Sequence, residues 1–128
     1  MQFCRALLDL AELSDHLGRP EADRFRALHD EMAKDVNNCA WDGDWYARSF
    51  DNEGKPIGVA AEENQKISLN PQSWSVLGEV ASSERAEKAM ASMHEKLNSE
   101  FGIALLWPPY EHCTIRVRVT STFPPGAK

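Results

Sequence analysis

The chain is short, of ordinary composition and acidic. Its 128 residues suit one small domain or part of a larger one, and 42% hydrophobic with 27% charged residues exclude wholesale disorder. A net charge of −6 excludes a nucleic-acid partner, because no basic surface is available for phosphates. The longest strongly apolar run, 103–107, is far shorter than the ~20 residues of a membrane span.

The three cysteines and four histidines show no spacing typical of a zinc site, so we predict no metal. An odd number of unpaired cysteines suits a reducing compartment, and we therefore expect a cytoplasmic protein.

Apolar residues at helical spacing predict two helices in the first part of the chain. The first covers about 2–17 and is ended by Gly18 and Pro20. The second covers about 21–38, with acidic residues in its first turn that the helix dipole favours. Only a tight turn separates them, so we expect a helical hairpin.

Residues 39–69 lose this periodicity, and we predict that they form an active-site loop. Glycines, prolines and the turn dipeptide Asp42-Gly43 interrupt the segment. Irregular segments of this length are uncommon in a compact domain unless they have a function. Within the loop, a short β-hairpin joining 45–50 to 55–59 across the turn at 52–54 is a further prediction.

Two more helices are predicted after the loop. The third covers about 70–81, with Asn70 as N-cap and Pro71 in its first turn. The fourth covers about 83–101, capped by Ser82 or Ser83 and ended by Gly102. Residues 102–128 are predicted to be a C-terminal loop, and no amphipathic helix follows to cover its aromatic residues. We therefore expect a fragment of a larger all-α domain.

The segment 41–48 concentrates aromatic and acidic side chains around one glycine. Its sequence is Trp41-Asp42-Gly43-Asp44-Trp45-Tyr46-Ala47-Arg48. Indole faces stack on the apolar faces of sugars, and carboxyl groups bind hydroxyls or protonate a glycosidic oxygen. Two exposed tryptophans would each forfeit about 1.5 kcal/mol or more relative to burial. The segment predicts either a carbohydrate or small-polyol site or an aromatic corner of the core.

Each candidate residue of this segment has a structural alternative. Asp42 either caps a turn, as aspartate before glycine often does, or is a general acid desolvated by Trp41 and Trp45. One of the two tryptophans is expected to be core. Arg48 either pairs with Asp44 or binds sugar hydroxyls.

Two polar residues outside the segment are further candidates. Gln72 begins the third predicted helix, where it is a candidate to face the same cavity as a substrate-binding residue. Glu63 is either a solvated acid or, like Asp44, a residue that positions the substrate-contacting side chains without touching the substrate itself.

These motifs, taken in order, resemble glycoside hydrolase family 94. That family contains the cellobiose, cellodextrin and chitobiose phosphorylases and the phosphorylase-like part of cyclic β-1,2-glucan synthases. The resemblance begins at 41–48, with Asp44 where glutamate is common, and residues 111–118 follow no family pattern. It continues through Phe50-Asp51, Glu63-x-x-Lys66-Ile67-x-Leu69-Asn70-x-Gln72-Ser73-Trp74, Leu106-x-Pro108-Pro109 and Thr122-Phe123-Pro124-Pro125-Gly126-Ala127-Lys128.

The resemblance implies a partial (α/α)6 barrel, with about four of twelve helices present in two helical hairpins. It implies that Asp42 matches the family's general acid. It also implies an inverting β-glucoside phosphorylase that converts a disaccharide or oligosaccharide and inorganic phosphate to an α-sugar 1-phosphate without another cofactor.

Two other functions stay open: an inverting glycoside hydrolase on the same barrel, and an inactive truncated product that folds as a helical bundle. We expect the parent enzyme to be a homodimer. The fragment alone is expected to be inactive and to self-associate.

Overall fold

The computed structural model describes residues 1–109. The predictions about Tyr110, about 111–118 and about the motif 122–128 lie outside these residues. The elements in chain order are α1 Gln2–His16, α2 Ala22–Cys39, β1 Ser49–Phe50, β2 Pro56–Ile57, β3 Ile67–Ser68, α3 Leu69–Leu77, α4 Ser83–Leu97, β4 Asn98–Ser99, β5 Gly102–Ile103 and β6 Leu106–Trp107. The predicted mostly helical class with a short β-hairpin is confirmed, as in a fragment of a helical barrel domain.

Helices α1 and α2 pack against each other, as the short connection predicts. One side of α1 is buried at a spacing of three or four residues, by Cys4, Leu7, Ala11 and Ser14. An adjacent side of α1 and its C-cap leave large apolar residues exposed: Phe3, Leu10, Leu13 and Leu17. We call these four residues the α1 stripe. An ion pair between Arg26 and Asp15 links the two helices.

The predicted hairpin inside the loop is present but short. Strands β1 and β2 are antiparallel, with Ser49 opposite Ile57 and Phe50 opposite Pro56. The Asp51 carboxylate accepts the backbone N–H groups of Glu53 and Lys55 at 2.9 and 2.8 Å, which closes the turn.

Helix α3 differs from the prediction at both ends. It begins at Leu69 with Ser68 as N-cap, so the prediction of Asn70 as N-cap is wrong, because Asn70 already lies in the first turn. It ends at Leu77 rather than near 81, because Gly78 and Glu79, with φ 53° at Glu79, turn the chain. Pro71 lies in the first turn as predicted.

Helix α4 starts as predicted and ends early. The Ser82 hydroxyl accepts the Arg85 N–H at 3.4 Å, which confirms the N-cap. The helix ends at Leu97 and not at 101, because Asn98 is extended and begins the antiparallel β4–β5 pair. The Ser99 hydroxyl donates to the Gly102 carbonyl at 2.7 Å and holds that turn.

The core lies around the irregular segment. One cluster consists of Ala40, Tyr46, Ala47, Val59 and Ala89, and a second of Trp45, Ile67, Met93 and Leu97. Strand β6 pairs with β3 and places Trp107 opposite Ile67. Across residues 1–109, no helix has the length and apolar character that crossing a membrane requires.

Candidate functional site

A narrow turn carries the segment predicted to be functional. Trp41 and Tyr46 pair across it, and the Asp42 N–H donates to the Trp45 carbonyl at 2.9 Å. Gly43 lies at the tip with φ 96°, in the left-handed region that favours glycine. We call this turn, residues 41–46, the acid turn.

Asp42 is exposed, and its Oδ2 accepts the Ala60 N–H at 2.6 Å. This bond fastens the acid turn to the segment after β2. The expected desolvation by Trp41 and Trp45 is not seen, because the carboxyl lies in solvent in the described part of the chain. The geometry therefore gives Asp42 an anchoring role across 18 residues, which differs from the local turn cap that the sequence offered as the structural alternative.

Trp45 belongs to the core. Its side chain is buried, and the indole N–H is shared between the carbonyls of Gly58 at 3.2 Å and Lys66 at 2.9 Å. Its ring packs in a core cluster, as expected for one of the two tryptophans, and the role of Trp45 as a sugar contact stays a prediction. A buried indole that has partners for its N–H is the common arrangement in protein cores.

Trp41 is only partly buried. The Tyr46 ring meets it edge-on at a centroid distance of 4.9 Å, and the Arg85 guanidinium carbon lies 5.0 Å from the Trp41 ring centroid. The arginine thus forms a cation–π contact with the indole and fixes its position.

The side chain of Gln72 holds the acid turn by hydrogen bonds to its backbone. It has no exposed surface, and its Oε1 accepts the Tyr46 N–H at 2.8 Å. Its Nε2 donates to the carbonyls of Tyr46 and Ser68, both at 2.9 Å. The whole amide is used inside the described part of the protein, and a role of Gln72 as a sugar contact stays a prediction.

A second polar brace was missed by sequence reasoning. The Tyr46 hydroxyl donates to Asn37 Oδ1 at 2.7 Å, and Arg85 donates to the same oxygen at 2.8 Å. Burial raises the pKa of Tyr46 above 10, against the opposing effect of the Arg85 charge. The one available signal was Asn37 itself, because asparagine is unfavourable inside a helix unless its side chain has a specific partner.

The remaining candidates, Asp44, Arg48 and Glu63, form no ion pair with each other within residues 1–109. Asp44 is exposed and its backbone carbonyl accepts the Ser92 hydroxyl at 3.1 Å. Asp44 and Arg48 are not among the ion pairs formed within residues 1–109, so the alternative of such a pair is not supported. Glu63 is exposed.

Arg48 is exposed beside a glycine that the geometry requires. A side chain at Gly58, which has φ 83°, would come within 3.0 Å of the Arg48 Cβ and N atoms. The close approach of the two backbones places the Arg48 N–H 2.8 Å from the Ile57 carbonyl. Arg48 is thereby held at the end of β2 with its side chain in solvent.

Two clefts border this region. The first, which we call the arginine cleft, has a volume of about 520 Å3 and is lined by Arg48 together with residues such as Cys39, Ser49, Asn70 and Trp74. The second, the lysine cleft, has a volume of about 570 Å3. It is lined by Trp45, Ala60, Lys66, Ile67, Glu95, Lys96, Trp107 and Pro108. Arg48 and Trp45 thus border different clefts, and Asp42, Trp41 and Gln72 line neither.

Metal-binding groups are not gathered in the part of the chain that the structure describes. Within 1–109 no set of three His, Cys, Asp or Glu side chains could hold an ion. Cys4 is buried and Cys39 is exposed, both as free thiols.

Comparison with known proteins gives consistent matches. The family profile of the glycosyl hydrolase 94 superfamily, catalytic domain, matches residues 1–128. The chain is 35% identical over 111 residues to 3-O-beta-D-glucopyranosyl-beta-D-glucuronide phosphorylase of Paenibacillus borealis, which covers 86% of this chain and 14% of that protein. It is 37% identical over 101 residues to cellobionic acid phosphorylase of Neurospora crassa, covering 78% of this chain and 13% of that protein. It is 33% identical over 123 residues to solabiose phosphorylase of Paenibacillus borealis, covering 94% of this chain and 16% of that protein.

Proposed function

The chain belongs to the glycosyl hydrolase 94 superfamily, and we propose that it forms part of the catalytic domain of an inverting β-glucoside phosphorylase. The observation that carries this proposal is the family match over residues 1–128, together with relatives that are named as phosphorylases. The chain spans 13–16% of the length of these relatives, so the proposed activity is that of a longer protein. The homodimeric parent and the cytoplasmic location stay predictions.

In the proposed reaction, an oxygen of inorganic phosphate attacks the anomeric carbon of the substrate. The glycosidic bond to the leaving sugar breaks, and the leaving oxygen takes a proton from an acid. The product is an α-sugar 1-phosphate. An inverting hydrolase needs a second carboxylate to activate water, whereas phosphate is already an anionic nucleophile and one acid suffices.

We propose Asp42 as a candidate for that acid, on the strength of the family resemblance and of its exposure. Trp41 and Arg48 are proposed to contact the sugar, since Trp41 lies in the acid turn, Arg48 lies two residues after it, and neither is fully buried. Asp44 and Glu63 stay predictions as supporting residues. The anchoring bond from Ala60 to Asp42 provides the competing explanation of why an aspartate stands at this position.

Asparagine at position 42 separates the two explanations. In the full-length enzyme, Asp42→Asn keeps an oxygen that accepts the Ala60 N–H but removes the proton donor. If Asp42 is the acid, turnover of the natural disaccharide should fall by at least ~10²-fold, with a smaller loss for substrates that have very good leaving groups.

If Asp42 only anchors the turn, Asp42→Asn should retain near-normal turnover, and Asp42→Ala should instead lower the melting temperature. That result would remove the acid role and leave the family assignment intact. Arg48→Ala in the same assay is expected to raise KM without lowering the melting temperature.

The reaction class has its own test. Phosphorus NMR of a reaction with the full-length enzyme should show an α-sugar 1-phosphate that appears only when inorganic phosphate is supplied. Release of free sugar at the same rate without phosphate would support a hydrolase instead. The isolated chain is expected to consume no phosphate under these conditions.

A further inference from the structure

The lysine cleft combines a fixed aromatic side chain with positive charge. The backbone of Trp107 is held by the antiparallel pairing of β6 with β3, while 53% of its side chain is exposed. The cleft volume of about 570 Å3 falls within the range of roughly 300–1,000 Å3 that is typical of small-molecule sites. An exposed indole on a paired strand at the wall of a cleft offers a flat apolar surface to a ligand.

The charged side chains of the cleft are not balanced. Glu95 lies 3.4 Å from the ammonium group of Lys96, which also lies 5.6 Å from the Trp45 ring centroid. Lys66 makes no side-chain hydrogen bond or ion pair with the described part of the chain, although its backbone carbonyl is fixed by the Trp45 indole. Among residues 1–109, two ammonium groups and one carboxylate line the cleft, and this net positive charge favours an anion.

We propose that the lysine cleft binds a saccharide that carries an anionic group, with the sugar ring against Trp107 and the anion at Lys66 and Lys96. A neutral sugar would leave the Lys66 charge without a partner, and a small anion alone would leave the indole exposed. The inference rests on the proposed function only in taking the ligand to be a sugar.

A hydrogen bond connects a residue that lines the lysine cleft to the acid turn. Ala60 lines the cleft, and its N–H is the donor that Asp42 accepts at 2.6 Å. A saccharide in the lysine cleft would therefore lie next to the turn that carries the candidate acid. The anionic group is either a carboxylate, as in a uronic or aldonic acid, or a phosphate ester, and binding experiments distinguish the two.

Titration calorimetry of the full-length enzyme tests the proposal without requiring turnover. The probes are glucuronate, glucose 1-phosphate, glucose and inorganic phosphate. We expect glucuronate or glucose 1-phosphate to bind about 10-fold or more tightly than glucose, as a hydrogen bond between charged partners allows. Lys66→Met and Lys96→Met should each remove most of that preference, and raised salt should weaken it.

Matched variants control for charge and for aromatic exposure. Lys88→Met removes an exposed lysine of α4, the helix that also carries Lys96. Lys88 pairs with Glu84 at 3.5 Å, and its substitution should leave all affinities unchanged. Trp107→Ala should weaken the binding of all the sugars together. Phe101→Ala, at a residue that is 92% exposed outside the cleft, should not.

The outcomes separate the possibilities. A preference for glucuronate assigns a carboxylated sugar to the cleft, and a preference for glucose 1-phosphate assigns a sugar phosphate. Inorganic phosphate that binds as tightly as either sugar and does not depend on Trp107 would overturn the saccharide assignment.

A melting temperature lowered by several degrees in Lys66→Met, with unchanged affinities, would show that the cleft is a protein contact and would also overturn the proposal. Loss of the proposed phosphorolysis with this binding preference intact would refute the proposed function and leave the cleft assignment standing.

Discussion

The irregular segment 40–68 and the helix α1 reverse the usual relation between regularity and burial. Tyr46 and Ile67, the latter in the short strand β3 at the end of this segment, have no exposed surface. In the regular helix α1, Phe3 and Leu13 are each 51% exposed. Regular hydrogen bonding orders α1 whether or not its second face is covered, whereas the irregular segment is ordered by its own turn bonds, such as those of Asp42 and Asp51, and by contacts that reach it from the helices.

Those contacts are polar as well as apolar. Gln72 reaches the acid turn from α3, Ser92 and Arg85 reach it from α4, and Asn37 reaches it from α2. Backbone groups in a buried irregular segment must find partners, and Gln72 and Ser92 supply them. Asn37 binds the Tyr46 hydroxyl and Arg85 contacts the Trp41 ring. The comparison predicts that replacing a single one of these polar side chains lowers the free energy of unfolding. Apolar-to-charged substitutions on α1 should instead weaken association and leave the free energy of unfolding nearly unchanged.

Gln72→Ala should have the largest effect on stability. It leaves the Tyr46 N–H and carbonyl and the Ser68 carbonyl without the partners that they have now. Each unsatisfied buried group costs about 1–3 kcal/mol, so we expect the free energy of unfolding to fall by about 3 kcal/mol in urea denaturation. Gln2→Ala, at an exposed glutamine, should stay within about 0.5 kcal/mol. A fall below 1 kcal/mol for Gln72→Ala would show that the brace is dispensable.

The α1 stripe should drive self-association of the isolated chain. Covering one exposed leucine contributes about 1.5 kcal/mol or more, so Leu10→Lys with Leu13→Lys should weaken association by at least about 10-fold. Light scattering over a concentration series measures the change. Glu12→Lys introduces a lysine on the same helix outside the stripe and should have little effect. An isolated chain that is monomeric at every concentration would contradict this expectation.

Tyr46 should make the fold sensitive to alkali, with a smaller effect. Its folded pKa is raised by burial, so the folded state holds the proton more tightly than the unfolded state, whose pKa is near 10. This contribution is fully present below pH 10 and is lost as the pH rises through the raised pKa. Tyr46→Phe should cost about 1 kcal/mol at neutral pH, through the lost bond to Asn37.

The same variant should lose less stability than the unsubstituted chain when the pH is raised above 10. Urea titrations at a series of alkaline pH values measure, for each of the two proteins, the slope of the free energy of unfolding against pH. Equal slopes for the two proteins would show that the Tyr46 hydroxyl does not ionise at the expense of the fold.

The features predicted correctly from the sequence are those with local causes. The turn after α1, the β1–β2 hairpin and the Ser82 cap depend on residues within a few positions of each other. The helix ends near 81 and 101 were misplaced because apolar spacing continues after the backbone has turned. Gly78, the C-cap of α3, is the local signal for the earlier end, while the left-handed φ of 53° falls on the non-glycine residue Glu79.

The sequence predicts which segment carries the candidate site, but it does not predict the hydrogen bonds that hold the residues of that segment. The bond between Gln72 and Tyr46 joins residues 26 positions apart, and the bond between Arg85 and Asn37 joins residues 48 apart. Such pairings depend on how α3 and α4 pack, which composition and periodicity do not reveal. A polar residue that is free for a ligand therefore looks the same in the sequence as one committed to the core.

The shared hydrogen bond of the Trp45 indole has a consequence for how this region can change in evolution. Because one N–H holds both Gly58 and Lys66, the segment between them is closed at its base, independently of its tip. Residues 61–64 at the tip are exposed or half-buried. The entropy cost of a longer loop grows by only about 0.6 kcal/mol for each doubling of its length. Insertions at 61–64 can therefore reshape the rim beside the lysine cleft while the base of the segment keeps its geometry.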